Sequence, residues 1–202
     1  MTVGVVDYEA GNLRSVETAL NHLRADFVTS PRPDELIKTD RLIFPGVGEA
    51  ASAMSVLRDR GLDKLILDFV QGGKPLLGIC IGCQVALDRS EERGASCLGI
   101  IPGEVKKFPK RAGLKVPHMG WNQVEHAGRH AIFNGIPDGG SFYFVHSYYP
   151  DPSQTSETIA ETDYGIRFVS GVARDNFVAV QFHPEKSGPY GLRLLENFLS
   201  WS

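Results

Sequence analysis

The chain has 202 residues, 42% of them hydrophobic, and a net charge of −3. That is enough apolar material for one domain of the larger sort with a proper core, and the slight acidity argues against nucleic acid as a partner. An odd count of three cysteines speaks against a disulfide framework and for a reducing cytoplasm, and no apolar run reaches membrane-spanning length.

Val3 to Val6 read as a buried strand ending at Asp7, and Met1 to Asp7 show no basic region, so no signal peptide is expected. Leu13, Val16, Ala19, Leu20 and Leu23 then recur on one helix face, with Asn12 as its N-cap. Ala25 to Val28 give a second strand, Asp34 to Ile37 a short helical piece, and Arg41 to Phe44 a third strand. Strand, helix, strand is the pattern of a parallel sheet. After Pro45-Gly46-Val47-Gly48, a helix turns Ala50, Ala53, Met54 and Leu57 inward and stops at Gly61. A second helix runs to Gln71 and closes at Gly72-Gly73. Pro75 to Ile79 form the fourth strand, and Gln84 to Leu87 read as helical. From about Pro102 to Gln181 the segments become short and alternating, which predicts an antiparallel block: Glu104–Phe108, Gln123–Glu125, Phe142–His146, Thr158–Thr162, Phe168–Arg174 and Phe177–Gln181. A last helix, Gly191 to Trp201, has Leu192, Leu195, Phe198 and Leu199 as its inner face. The expected architecture is α/β: a mainly parallel central sheet flanked by helices, with an antiparallel extension, in a single domain over residues 1–202.

Cys80 falls on the turn between the fourth strand and the helix after it, with Gly78 and Gly82 on either side. This is the nucleophile-elbow arrangement with Cys in place of Ser, and the N–H groups opening the helix favour the thiolate. Cys80 and Cys83 also form a C-x-x-C. Zinc is disfavoured, because Cys97 is the one remaining cysteine and no histidine stands at ligand spacing. A dithiol redox pair and a merely buried cysteine remain as alternatives. Gln181-Phe182-His183-Pro184-Glu185 follows an apolar strand, where α/β proteins place their sites. Residues i and i+2 of an extended chain face the same way, so Glu185 can orient His183. Nucleophile, base and orienting acid are then all present. Gly46, Gly48 and Ala51 match a dinucleotide fingerprint in outline, but the acidic residue expected at a following strand end is missing. The alternative is a loop whose backbone N–H groups, with that of Ile81, face a developing oxyanion.

Gly78-Ile-Cys80-Ile-Gly-Cys-Gln84, His183-Pro-Glu185 and Pro45-Gly-Val-Gly48 resemble the class I, or triad, glutamine amidotransferases over the length of the chain. Within that family, Asp7-Tyr8-x-x-Gly11-Asn12-Leu13-x-Ser15, Pro117-His118-Met119-Gly120-Trp121-Asn122, Tyr143-Phe-Val-His146-Ser147-Tyr148 and Lys186-Ser187 resemble the glutaminase subunits of imidazole glycerol phosphate synthases. The resemblance implies hydrolysis of L-glutamine by Cys80, with His183 moving the proton and Glu185 holding His183, and no cofactor or metal. It places Val47, Gly48 and Ile81 at the oxyanion, and Gln84, Glu92, Ser147 and Tyr148 around the glutamine. It also implies a partner, a (β/α)8-barrel cyclase subunit, with Asn12, Trp121, Tyr143 and Lys186 near the contact. Cys83 beside Cys80 raises the further expectation of an inactivating disulfide. A dithiol redox protein and a non-catalytic binding module are the rivals from other classes.

Overall fold

Strands buried on both faces read as continuous apolar runs; three such runs of the N-terminal half pair in parallel, with a half-buried fourth strand at the edge of the sheet. The computed structural model describes residues 1–9, 13–110 and 114–201. Its strands are β1 (Thr2–Val6), β2 (Asp26–Ser30), β3 (Arg41–Phe44) and β4 (Leu76–Ile79), with helices α1 (Leu13–His22), α2 (Pro33–Leu36), α3 (Ala50–Asp59), α4 (Leu62–Gln71) and α5 (Ile81–Gln84) between and after them. The Asn12 cap lies outside the described residues.

The period of two along each strand sends alternate residues to two separate cores. Val3, Val5, Ile43, Leu77 and Ile79 face one cluster, which α1 closes with Val16, Ala19 and Leu20. Leu42, Phe44 and Leu76 face the other, closed by α3 (Ala50, Ala53, Met54, Leu57) and α4 (Leu62, Leu65, Ile66, Phe69). Each of these larger side chains removed from water stabilises the fold by about 1.5–3 kcal/mol, and each alanine by less. The inward faces of α1 and α3 are those the periodicity predicts.

The second half differs from expectation. It adds β5 (Arg89–Ser90), β6 (Ala95–Ser96), β7 (Gly103–Lys107), β8 (His118–Val124), β9 (Gly140–His146), β10 (Tyr148–Pro152), β11 (Thr158–Asp163), β12 (Arg167–Arg174), β13 (Phe177–Val180) and the final helix α6 (Gly188–Ser200). Part of the predicted antiparallel block extends the central sheet, whose order is β11-β12-β13-β4-β3-β1-β2. β13 pairs in parallel with β4 and antiparallel with β12, so it is the seam between the two halves. The remainder forms a four-stranded sheet, β10-β7-β5-β6, and the pair β8-β9. β8 begins five residues earlier than predicted, because its alternation is inverted: His118 and Val124 are buried while Met119 and Trp121 point outward. On α6 the fully buried leucines are Leu194 and Leu195, and Leu192 is only partly covered.

That inversion places His118 against His146 on β9, with Nδ1 of the first 2.9 Å from Nε2 of the second. His146 Nδ1 lies 2.7 Å from the Tyr148 carbonyl, which can only accept, so Nδ1 carries the hydrogen and Nε2 accepts from His118. His118 Nε2 then accepts from Asn122 Nδ2 at 3.2 Å. This chain of donors requires both rings neutral. Burial pushes His118 from 6.5 down to about 4; burial, partly offset by the Tyr148 carbonyl, takes His146 to about 3. Unfolded histidines protonate near 6.5, whereas these fold neutral, so their contribution is complete above that pH and is lost as pH falls toward 4 and 3. The melting temperature is expected to fall on acidification from pH 6.5 to 4.5, and to fall less steeply in His118→Gln. Equal slopes for the two proteins would contradict this.

Candidate active site

β1, β3, β4 and β13 run in parallel, so their C-terminal ends open on one edge of the sheet, where Pro45, Cys80 and Gln181 follow β3, β4 and β13. Cys80 leaves β4 with φ 54° and ψ −98°, a strained conformation for a residue with a side chain. The bend brings backbone against backbone. A Cβ at Gly82 would fall 2.2 Å from the Phe44 carbonyl oxygen, and one at Gly78 would fall 2.8 Å from the Gly82 carbonyl. Both flanking glycines are thus demanded by close approach.

The helix after the elbow, α5, is Ile81–Gln84 rather than Gln84–Leu87. It stops after one turn because the next N–H groups bond elsewhere: Leu87 turns back to the Gln84 carbonyl three residues before it, and Asp88 donates to the Gly103 carbonyl. So short a helix carries little macrodipole. Cys83 is wholly buried in the core cluster that also holds Phe44 and Tyr8, whereas Cys80 belongs to the opposite cluster. Both are free thiols, and burial, reinforced by Cys80, pushes the Cys83 thiol well up. A thiol so enclosed is a poor redox partner.

His183 is 1% exposed and its Nδ1 lies 2.8 Å from Glu185 Oε1. Nε2 has no hydrogen-bond partner among the described residues, and the Cys80 sulfur is near enough to act on the ring electrostatically. Burial alone lowers the imidazole's affinity for a proton, but the neighbouring Cys80 sulfur and the hydrogen-bonded Glu185 carboxylate outweigh it and raise the pKa to about 10. The loop bearing His183 is fixed to β9: the His183 N–H donates to the Tyr143 carbonyl at 2.9 Å, and the Ser187 hydroxyl donates to the His183 carbonyl and accepts the Tyr143 N–H.

Sequence reasoning gave Gln181 no role. Its Nε2 donates to Cys80 Sγ at 3.6 Å, and its Oε1 accepts from Gln84 Nε2 at 3.0 Å. Gln84 Nε2 also donates to the Tyr148 carbonyl, so β10 orients two amides in line with the sulfur. The one available signal was a polar residue closing an otherwise apolar strand.

Val47, Gly48, Cys80, Ile81, Gln84, Glu92, Ser147 and Tyr148 all line one cavity of about 220 Å³, with Pro117, Val145 and His146 completing it. The structure therefore brings together the residues expected at the oxyanion and around the substrate. Gly48 has φ 111°, open to glycine alone in practice. Glu92 Oε2 accepts the Ala50 N–H at 2.6 Å, tying the start of α3 to the cavity. The Ile81 N–H donates to the Gly46 carbonyl, at a long 3.4 Å.

The sequence profile described as glutamine amidotransferase class-I matches residues 4–201. The chain belongs to that family. Among this amidotransferase's relatives is the imidazole glycerol phosphate synthase subunit HisH of Dehalococcoides mccartyi (strain CBDB1), 48% identical over 197 residues, 97% of this chain and 95% of that protein. The HisH subunit of Nitrosococcus oceani is also 48% identical, over 207 residues, 100% of this chain and 98% of that one. Solved structures of like fold include PurLQS from Thermotoga maritima, with a TM-score of 0.76 and 17% identity over 99% of this chain and 98% of that one. A glutamine amidotransferase from the same organism gives 0.64 and 16%, over 98% and 82%.

Three residues expected at a subunit contact sit together on this amidotransferase. Trp121 is 59% exposed and pairs across β8-β9 with Tyr143, their rings 6.2 Å apart. Lys186 Nζ lies over the Tyr143 ring. Met119, 62% exposed, extends the patch. Asn12 lies outside the described residues.

Proposed function

We propose that this chain is the glutaminase subunit of an imidazole glycerol phosphate synthase. It hydrolyses L-glutamine to glutamate and ammonia, and the ammonia passes to a (β/α)8-barrel cyclase subunit that forms imidazole glycerol phosphate and AICAR in histidine biosynthesis. The observation that carries this is the succession of sulfur, imidazole and carboxylate, with the sulfur opening on the cavity, in a chain 48% identical over nearly its whole length to HisH subunits. Among the described residues no helix is long and apolar enough to cross a membrane, and we place the enzyme in the cytoplasm as one domain over residues 1–202.

In this reading Cys80 Sγ attacks the side-chain amide carbon while the imidazole of His183 holds the proton the thiol has given up. The imidazolium returns that proton to the amide nitrogen, which leaves as ammonia, and a water then cleaves the thioester with His183 as base. Glu185 keeps Nδ1 protonated and so leaves Nε2 to face the sulfur. Gln181 and Gln84 hold the sulfur in line. Ser147, Tyr148, Gln84 and Glu92 surround the glutamine head group, and Val47, Gly48 and Ile81 surround the oxyanion. The Trp121, Tyr143 and Lys186 patch receives the barrel subunit, and its strand is hydrogen-bonded to His183.

Free ammonia would protonate and escape, so hydrolysis without the partner is wasteful. The Ile81 N–H is engaged by the Gly46 carbonyl, and loss of one oxyanion donor costs roughly a hundredfold or more in rate. Glutamate release by the isolated chain is therefore expected to be slow, and to rise on the order of a hundredfold once the barrel subunit is docked with its acceptor ligand bound. Equal turnover in the two states would contradict this.

A further inference from the structure

Tyr8 is 2% exposed, and its hydroxyl has no hydrogen-bond partner among the described residues. An orphaned hydroxyl inside a core is costly, and Phe would fill the same space without that cost. The ring packs edge-on against Phe44 at 5.4 Å, just before the Pro45-Gly46-Val47-Gly48 loop. A Cβ on Gly46 would fall 1.6 Å from Tyr8 Oη, so the hydroxyl is pressed against the backbone of the residue whose carbonyl accepts the Ile81 N–H. Burial, reinforced by the nearby Cys80, pushes the phenol well above its ordinary value of 10, so it remains a protonated donor at any working pH.

When the sulfur attacks the amide, the electron pair of the C=O bond moves to oxygen, and the Ile81 N–H is the donor beside it. Donating there means leaving the Gly46 carbonyl. A buried carbonyl that loses its donor bears the full cost of desolvation. We propose that the Tyr8 hydroxyl takes over the Gly46 carbonyl as Ile81 turns its N–H to the substrate oxyanion, which makes Tyr8 a positioning residue for the oxyanion loop. In the resting arrangement the hydroxyl lies against the Gly46 backbone without bonding to its carbonyl, and the turn of that peptide away from Ile81 is what brings the two into line. The inference rests on the glutaminase reading above and adds to it a residue that no sequence argument placed in the site.

The test is Tyr8→Phe, assayed for glutamate release as the complex with the barrel subunit. A lost neutral hydrogen bond predicts a five- to tenfold fall in kcat, roughly, with KM within about twofold. The melting temperature should equal or exceed that of the wild type, because an unpartnered hydroxyl has been removed. Alkylation of Cys80 by iodoacetamide develops no oxyanion, and its rate should not change. An unchanged kcat overturns the proposal. So does a fall in kcat matched by a fall in alkylation, which would put Tyr8 to work on the sulfur, or by a fall in melting temperature, which would make it a packing residue. A wild-type complex that releases no glutamate removes the glutaminase reading and this inference with it, whereas an active wild type with an equally active variant removes only this inference.

Discussion

Cys80→Ser is expected to lower glutamate release by about four orders of magnitude or more while leaving the fold intact. The substitution keeps the elbow, because what bends the chain there is the pair Gly78 and Gly82 and their backbone contacts. What changes is the nucleophile: a hydroxyl is a far weaker acid than a thiol and cannot store its proton on His183 before attack. The imidazole reports the same change. Its pKa of about 10 owes more to Cys80 and Glu185 together than burial takes away, so without the sulfur it should release its proton at a lower pH, visible by NMR titration of the ring. A group whose folded pKa is raised stabilises the fold below its unfolded value of 6.5 and loses that contribution as pH rises through the folded value. The wild type should therefore lose more stability than the variant between pH 7 and 10. Residual activity above about one part in a hundred would mean that another group attacks the amide.

Gly82→Ala is expected to damage both stability and turnover. The added methyl would lie 2.2 Å from the Phe44 carbonyl oxygen, and no rotamer relieves it, because a Cβ is fixed by the backbone and the carbonyl belongs to it. Either β3 or α5 must move. Overpacking of this kind costs roughly 3 kcal/mol when the neighbour cannot give way, which is several degrees of melting temperature for a domain of this size. The same shift would separate Gly46 from Ile81, now joined at 3.4 Å, and displace the sulfur relative to His183, where a 1 Å error costs about a hundredfold. A variant that melts like the wild type and keeps its kcat would show that the elbow has slack that these contacts deny it.

The candidate triad was legible in the sequence because local chemistry announces it. Gly-x-Cys-x-Gly after a short apolar run can be little else than a sharp strand-to-helix bend, and His-Pro-Glu after a second such run puts base and orienting acid on one side of an extended chain. The inward residues of α1 and α3 were equally legible, since period 3.6 is a property of the sequence itself. Gln181 was not, for a polar residue at a strand end is ordinarily solvated and only its packing against Cys80 gives it work. Nor was β8, whose apolar residues Met119 and Trp121 face outward while His118 goes inside.

The residues alone thus determined which atoms can do chemistry, an ionisable sulfur at a bend, an imidazole and a carboxylate, and the alternation that sorts the strands between two cores. Only the tertiary structure decided their company. It placed β13 beside β4, so that Cys80 and His183 meet across 103 positions of chain, set the Tyr8 hydroxyl under Gly46, and gave the Ile81 N–H to a carbonyl instead of to the cavity. The reason is physical. Periodicity and turn chemistry act over a few residues, whereas strand order and the sharing of one donor between two acceptors depend on contacts between segments far apart in the chain, which no local pattern encodes.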